Sequence, residues 1–318
     1  MGFERVPAAT ALAGSSATAS SKWPNRANAP RLHPYALPAI SPGFKLIPGE
    51  SIFTIGSCFA RHIEQALRAR GFGVPALGFQ VPGDELWAGT VMKSGILNKY
   101  TPHSMLNELR FAFGDEDGGD FLLPVHGDQV IDAQLHTNVA VGRGRAIERR
   151  QQVRQLYRNA VEKCRVVIVT LGLVEAWWDQ RTGIYMNETP TRAILDANKD
   201  NLYFEVLSPE AVSEAVNELL VLMKHHGMPE QRVLLTVSPV PIARSFSGDD
   251  AITANCYSKS VLRAAAEVAK RKFDWVDYYP SYESITHSSR ERVWEDDQIH
   301  VRKEAVAANV NRMVEAYS

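Results

Sequence analysis

Apolar positions along this chain follow two rhythms that alternate with each other. Ser51 to Gly56, reading Ser-Ile-Phe-Thr-Ile-Gly, is a short β-rich run closed by a glycine, and Phe59, Ile63 and Leu67 follow at helical spacing. A strand, a tight turn and a helix are predicted in succession. Val153, Leu156, Tyr157, Ala160 and Val161 fall at i, i+3, i+4, i+7 and i+8, which is the stripe of a helix burying one face. Arg165 to Leu171 then reads as a strand buried on both sides. The same grammar returns downstream. Ser208 and Pro209 form an N-cap and first-turn proline for a helix whose Val212, Ala215, Val216, Leu219, Leu220 and Met223 share a face, and Val233 to Val237 is the next strand. A helix over roughly Ser258 to Lys270, with Val261, Ala265, Val268 and Ala269 inward, leads to a short strand at Phe273 to Val276. The last helix, about Lys303 to Tyr317, buries Val306, Val310, Met313, Val314 and Tyr317. Strands alternating with helices of roughly 10 to 15 residues predict an α/β fold: three layers, α/β/α, around a mostly parallel sheet.

Two stretches depart from this rhythm. Up to Pro48 the chain is rich in Ala, Ser and Pro, with prolines at Pro7, Pro24, Pro30, Pro34, Pro38, Pro42 and Pro48. Residues 1–49 are therefore expected to be an extended or disordered arm, because proline removes backbone donors and blocks helix. Tyr35, Leu37 and Ile40 favour a strap lying on the domain for its second half. Residues 50–318 then form one domain, in which the segment around residues 73–149, rich in Gly, Asp and short apolar runs, is an insertion able to shape a cleft. Within it, Gly142 to Arg145 reads as a solvated basic loop, since it lacks the Gly-Lys-Ser/Thr of a phosphate-binding loop. Asn201 to Glu205 reads as a strand.

Composition narrows the function classes. The 318 residues are 45% hydrophobic and 22% charged, enough apolar material for a sizeable core and against global disorder. Lys plus Arg number 35 against 36 Asp plus Glu, so the net charge of -1 gives no reason to expect a nucleic-acid partner. Cys58, Cys164 and Cys256 are too widely spaced for a disulfide framework or a metal cluster. The N-terminal Ala/Ser run lacks the apolar stretch of a signal peptide, and no stretch approaches the ~20 apolar residues of a membrane span. A cytoplasmic protein without a membrane association is expected.

Chemistry concentrates in two places. Thr54-Ile55-Gly56-Ser57-Cys58-Phe59-Ala60 puts two nucleophiles on a strand-to-helix turn. Ligands of parallel α/β sheets bind outside the carboxyl ends of the strands, and a helix start there offers free amides and a positive dipole end to a thiolate or an oxyanion. The bland alternative is a pair of small buried residues at a turn. Near the other end, Asp297 stands three residues ahead of His300, a spacing at which a carboxylate orients an imidazole that acts as general base. A chance surface ion pair is the alternative there.

Together these two signals resemble the GSCFA family, whose name is spelled by Gly56-Ser57-Cys58-Phe59-Ala60. That family is similar to a branch of the SGNH (GDSL-type) hydrolase superfamily. The resemblance spans most of residues 50 to 318, with further anchors at Thr170-Leu171-Gly172 with Glu175 and Trp178, at Ser238-Pro239-Val240, at Pro280-Ser281-Tyr282-Glu283, and at Asp297 with His300. It implies Cys58 at the nucleophile position, Ser57 where the superfamily carries Asp and also a possible nucleophile, His300 as base and Asp297 as its orienting partner. The superfamily's Gly-x-Asn-Asp block is not reproduced at Gly172-Leu173-Val174-Glu175. Its oxyanion or substrate-binding role would then pass to Gly172, Asn98 or Glu175. Trp177 and Trp178 stand where rings either stack on a sugar or acyl group or pack in the core.

The expected activity is that of an acyl-ester hydrolase or acyltransferase acting on a small acyl group, with a small-molecule or carbohydrate substrate and no cofactor. The alternative is a non-catalytic glycan- or peptide-binding protein on a hydrolase-like scaffold. Asp132, His136 and His126 make a spaced acid/histidine set without an HExxH-type frame, so no metal is expected.

Overall fold

The computed structural model describes residues 5–24, 31–87, 93–114 and 121–318. In chain order, α1 (Ala8–Ala17) precedes β1 (Ile52–Gly56) and α2 (Cys58–Ala69). The insertion supplies α3 (Pro102–Phe113), β2 (Leu122–His126), β3 (Gln129–Asp132) and β4 (Val141–Gly142). Next come α4 (Arg143–Lys163), β5 (Val166–Leu171), β6 (Glu175–Asp179), β7 (Ile184–Met186), α5 (Arg192–Asn198) and β8 (Leu202–Val206). The chain closes with α6 (Pro209–His226), β9 (Arg232–Val237), α7 (Ala251–Lys272), β10 (Val276–Tyr278), α8 (Ser281–Thr286), α9 (Arg290–Val293) and α10 (Lys303–Tyr317).

A strand buried on both faces sends alternate side chains to opposite cores. Ile52, Val166, Ile168 and Leu234 pack with Phe59, Ile63 and Leu67 of α2 and with Val306, Val310 and Met313 of α10. Their neighbours Phe53, Ile55, Val167, Val169, Val233 and Leu235 pack on the other side with Val153 and Tyr157 of α4, Val216 and Leu219 of α6, and Leu262 and Ala265 of α7. The sheet between these layers has the order β1-β5-β9-β10 and is parallel throughout. Register aligns the strand ends: Gly56 pairs with Thr170, and Thr170 with Thr236. The fold is therefore three-layer α/β/α.

The insertion adds no strand to this sheet; β2, β3 and β4 form a small antiparallel sheet of their own. A second one, β7-β6-β8, follows β5 directly. Its strand β8 occupies the place where sequence predicts one, whereas β6 has no counterpart among the predicted elements, Gly172 to Val174 alone separating it from β5. Gly142 to Arg145 is not a solvated loop: Arg143 opens α4, and Arg145 ion-pairs with Glu85 and Glu148. Helix α7 begins earlier than predicted because Asp250 caps it, accepting from the amides of Ile252 and Thr253. Val268 lies off its buried stripe and is 41% exposed.

In the arm, Pro30 and its neighbours at 25–29 lie outside the described residues. Ala8–Ala17 is helical rather than extended, occupying the proline-free stretch between Pro7 and Pro24 with no residue buried. Further on, Ala36 is buried, its N–H donating to Ser288 Oγ and its carbonyl accepting from Ser284 Oγ, each at 2.7 Å. Gly43 N–H donates to Asp277 Oδ2 at 2.7 Å, and Leu46 N–H to Tyr317 O at 2.5 Å.

Candidate functional site

At the carboxyl end of β1, Gly56 has φ 156° and its carbonyl accepts Lys99 N–H at 2.9 Å. Ser57 leaves the strand and N-caps α2, so Cys58 is the first residue of the helix, where amides lack intrahelical acceptors. Ser57 is buried and its hydroxyl has no partner in ordinary hydrogen-bond geometry, although it lies close enough to favour the Cys58 thiolate. Cys58 is partly exposed. Burial pushes its thiol above the ordinary value, outweighing the amides of Phe59 and Cys58, the Ser57 hydroxyl and the charge of Lys259. The dipole end alone does not make this cysteine a thiolate.

The second half comes from the loop between α9 and α10. A bridge between Trp294 and Val301 closes it, with Glu295 N–H donating to His300 O at 2.8 Å. Inside, Asp297 Oδ1 accepts the amides of Ile299 and His300, each at 2.9 Å, and Oδ2 lies 2.5 Å from His300 Nδ1. Gln298, at φ 59°, holds the left-handed turn between them. The hydrogen bond from His300 holds the Asp297 carboxyl down at about 2. With Nδ1 engaged, Nε2 is the ring nitrogen left to handle a proton.

Both halves meet in one cavity of about 610 Å³ beyond the carboxyl ends of β1, β5 and β9. Ser57, Cys58, Gly172, Ser238 and His300 line it, and Asp297 reaches it through His300. Trp87, Tyr100 and His136 from the insertion, Trp177 from β6, and Ile242, Arg244 and Phe246 from the loop after β9 complete the walls. Gly172 must be a glycine because a Cβ would stand 2.6 Å from the Tyr100 carbonyl oxygen.

The remaining residues named from the sequence have other surroundings. Glu175 lines the cavity, yet its carboxylate is committed to the loop after β9, accepting from Ser245 Oγ at 2.6 Å and from Phe246 N–H at 2.9 Å. Asn98 is buried outside the lining: its side-chain N–H donates to Tyr100 Oη at 3.4 Å, and its carbonyl accepts from Asn187 at 2.9 Å. Trp178 faces away, its ring 6.2 Å from that of Tyr203, while its neighbour Trp177 takes the cavity side. Asp132 does not act with His136. It binds Arg150, which also pairs with Glu108, and Glu108 pairs with Lys99 in a fully buried charge cluster.

Three features escape a reading of the sequence. His136 bonds to Glu188 and lies 3.4 Å from Tyr100 Oη; burial and the Lys99 charge hold it down at about 4, so the neutral ring donates to the carboxylate. Tyr100 is kept firmly protonated by burial and by the Cys58 charge. Lys259 on α7 is fully buried, with Nζ donating to Gly172 O at 2.8 Å, and burial pushes it down to about 7. A charge at Lys259 on the stripe of Leu262 and Ala266 was the available signal.

The chain belongs to the GSCFA family, whose model matches residues 51–313. No curated protein matches it. Among the described residues no helix is long and apolar enough to cross a membrane, and no group of three or more His, Cys, Asp or Glu side chains is placed to hold a metal ion.

Proposed function

We propose that this cavity carries acyl-ester chemistry, the hydrolysis or transfer of a small acyl group on a carbohydrate-containing substrate. The observation that supports it is the convergence of Cys58, at the start of α2, and the Asp297-held His300, before α10, on one cavity. Cys58 Sγ adds to the acyl carbonyl carbon while His300 Nε2 takes the thiol proton, and the carbonyl oxygen becomes an oxyanion facing the first-turn amides of α2. The leaving alcohol departs with the proton that His300 returns. A water or acceptor hydroxyl, deprotonated by His300, then attacks the thioester, and Cys58 recovers its proton as the acid or new ester leaves. Trp87 and Trp177 in the walls offer rings to a sugar face.

The test is turnover of short-chain activated esters, and of acyl donors with oligosaccharide acceptors, by wild type and by Cys58→Ala, Ser57→Ala and His300→Ala. Loss in the Cys58 and His300 variants supports the assignment. Loss only in Ser57→Ala moves the nucleophile to Ser57, and inactivity of the wild type across donors defeats the reading.

A second reading, non-catalytic glycan or peptide binding, is favoured by the burial that raises the Cys58 thiol above its ordinary value. Saturable glycan binding by an inactive wild type, weakened in Trp177→Ala, is its signature.

A further inference from the structure

Lys259 is completely buried, and among the described residues no carboxylate lies within ion-pair reach of it. Its hydrogen bond runs to a neutral acceptor, the Gly172 carbonyl, at 2.8 Å. Other buried cations of this chain are compensated directly, as Lys99 is by Glu108 and Arg150 by Asp132. An ammonium left with one carbonyl is costly unless another group supplies the opposite charge.

The cavity lining and the neighbouring strand ends point to that group. Gly56 of β1 pairs with Thr170 of β5, so the turns that carry Cys58 and Gly172 leave the carboxyl ends of adjacent parallel strands. Both residues line the cavity, and Lys259 approaches the same edge from behind, through α7. Ser258 pins this approach, its Oγ accepting Val174 N–H at 3.2 Å.

We propose that Lys259 is the buried counter-ion of Cys58, a positioning residue that holds the thiolate so that the thiol and the amine share one proton. The assignment rests on Cys58 being the nucleophile of the reading above. Before substrate binds the step is a reversible internal transfer: the Cys58 S–H bond breaks and neutral Lys259 Nζ gains the proton, and when the proton returns to the thiol it is the one that His300 takes on acyl attack. Burial lowers Lys259 and raises Cys58, and in each case the partner's charge opposes the shift. The other titratable or charged groups of the cavity lining are Tyr100, His136, Glu175, Glu188, Arg244 and His300, and Arg61 of α2 lies near Tyr100. None of these lies within ion-pair distance of Lys259, which leaves Cys58 as its partner.

The test follows the rate of Cys58 alkylation by iodoacetamide across pH, by peptide mapping of the full chain, in wild type and Lys259→Met. Methionine keeps the length and the apolar stem. The midpoint is expected to rise by about one pH unit or more, with a fall of about tenfold in rate near pH 7. The reciprocal arm follows the Lys259 Cε resonance in lysine-labelled wild type and Cys58→Ser, where the lysine midpoint should fall by a matching amount, because coupling between two sites is mutual. If Lys259→Met does not fold, the Cys58→Ser arm decides alone. Unchanged midpoints overturn the proposal. Neither arm uses an acyl substrate, so coupled titration in a protein without turnover defeats the acyl-ester reading and leaves the pair standing, whereas turnover with uncoupled titration does the reverse.

Discussion

Gly56 approaches Thr170 so closely that a Cβ on the glycine would stand 2.6 Å from the threonine Cβ and 2.9 Å from its carbonyl oxygen. That contact joins β1 to β5 one residue before the chain turns into Ser57 and Cys58. A side chain at Gly56 must therefore part the strands or displace the turn. Gly56→Ala is expected to destabilise the protein by about 2 kcal/mol or more, in the range of overpacked cores. Denaturant unfolding of wild type and variant measures it; a loss below about 0.5 kcal/mol would show that the strand ends are free to move apart.

Glu108 is the shared anion of a cluster in which Lys99 and Arg150 are both buried, with Asp132 completing the Arg150 side. Glu108→Gln leaves Lys99 without its carboxylate and halves the compensation of Arg150. Breaking one partner of a buried pair costs about 3 to 5 kcal/mol. The expected result is a fall of that size in unfolding free energy, larger than for Glu218→Gln, whose partner Arg110 is half exposed. Equal losses in the two variants would contradict it.

Local periodicity carries most of the layered fold because most elements of the central sheet and its covering helices are internally patterned, although β10 forms at Val276–Tyr278 rather than at Phe273 to Val276. The bounds of α10 and the run of β9 fall where the apolar spacing puts them. The Asp297–His300 contact is equally local, three residues apart, and needs no tertiary knowledge. By contrast, His136 and Glu188 are 52 residues apart in segments without helix-strand rhythm, and only folding brings them together. Trp177 and Trp178 cannot be ranked until β6 is known to be a strand, since its alternation sends one ring to the cavity and the other away. Asn98 and Lys259 invert the usual rule, because what makes them notable is burial, which their residue types do not announce.

Two histidines make stability fall on acidification well before the carboxylates titrate. Burial pushes both His103 and His136 down to about 4, against about 6.5 in an unfolded chain. Between those values the unfolded state binds more protons, so stability rises with pH and is lost as pH falls from 6.5 toward 4, by up to about 1.4 kcal/mol per unit for each group. His103 packs its ring 4.5 Å from that of Tyr185, and its Nδ1 has no partner among the described residues. His103→Phe should keep the ring contact and give a shallower decline in unfolding free energy between pH 7 and 4.5. A slope as steep as that of wild type would sink the assignment for His103.

Asp297 carries the opposite sign. Its carboxyl is held at about 2 by the hydrogen bond to His300, below the ordinary value near 3.9, so the contribution of the pair is present above pH 4 and disappears as pH falls through about 2. In Asp297→Asn the retained oxygen still accepts the amides of Ile299 and His300, which preserves the turn. The new amide nitrogen offers His300 Nδ1 a donor instead of an acceptor, so the ring moves its proton to Nε2 and loses the lone pair that the proposed mechanism uses. Turnover should fall by about 10² to 10⁴-fold with the fold intact. Nitrogen-15 NMR of His300 reads the tautomer independently of activity. A ring that keeps Nδ1–H in Asp297→Asn would refute the orienting role directly; a switched tautomer with unchanged turnover would remove His300 from the chemistry.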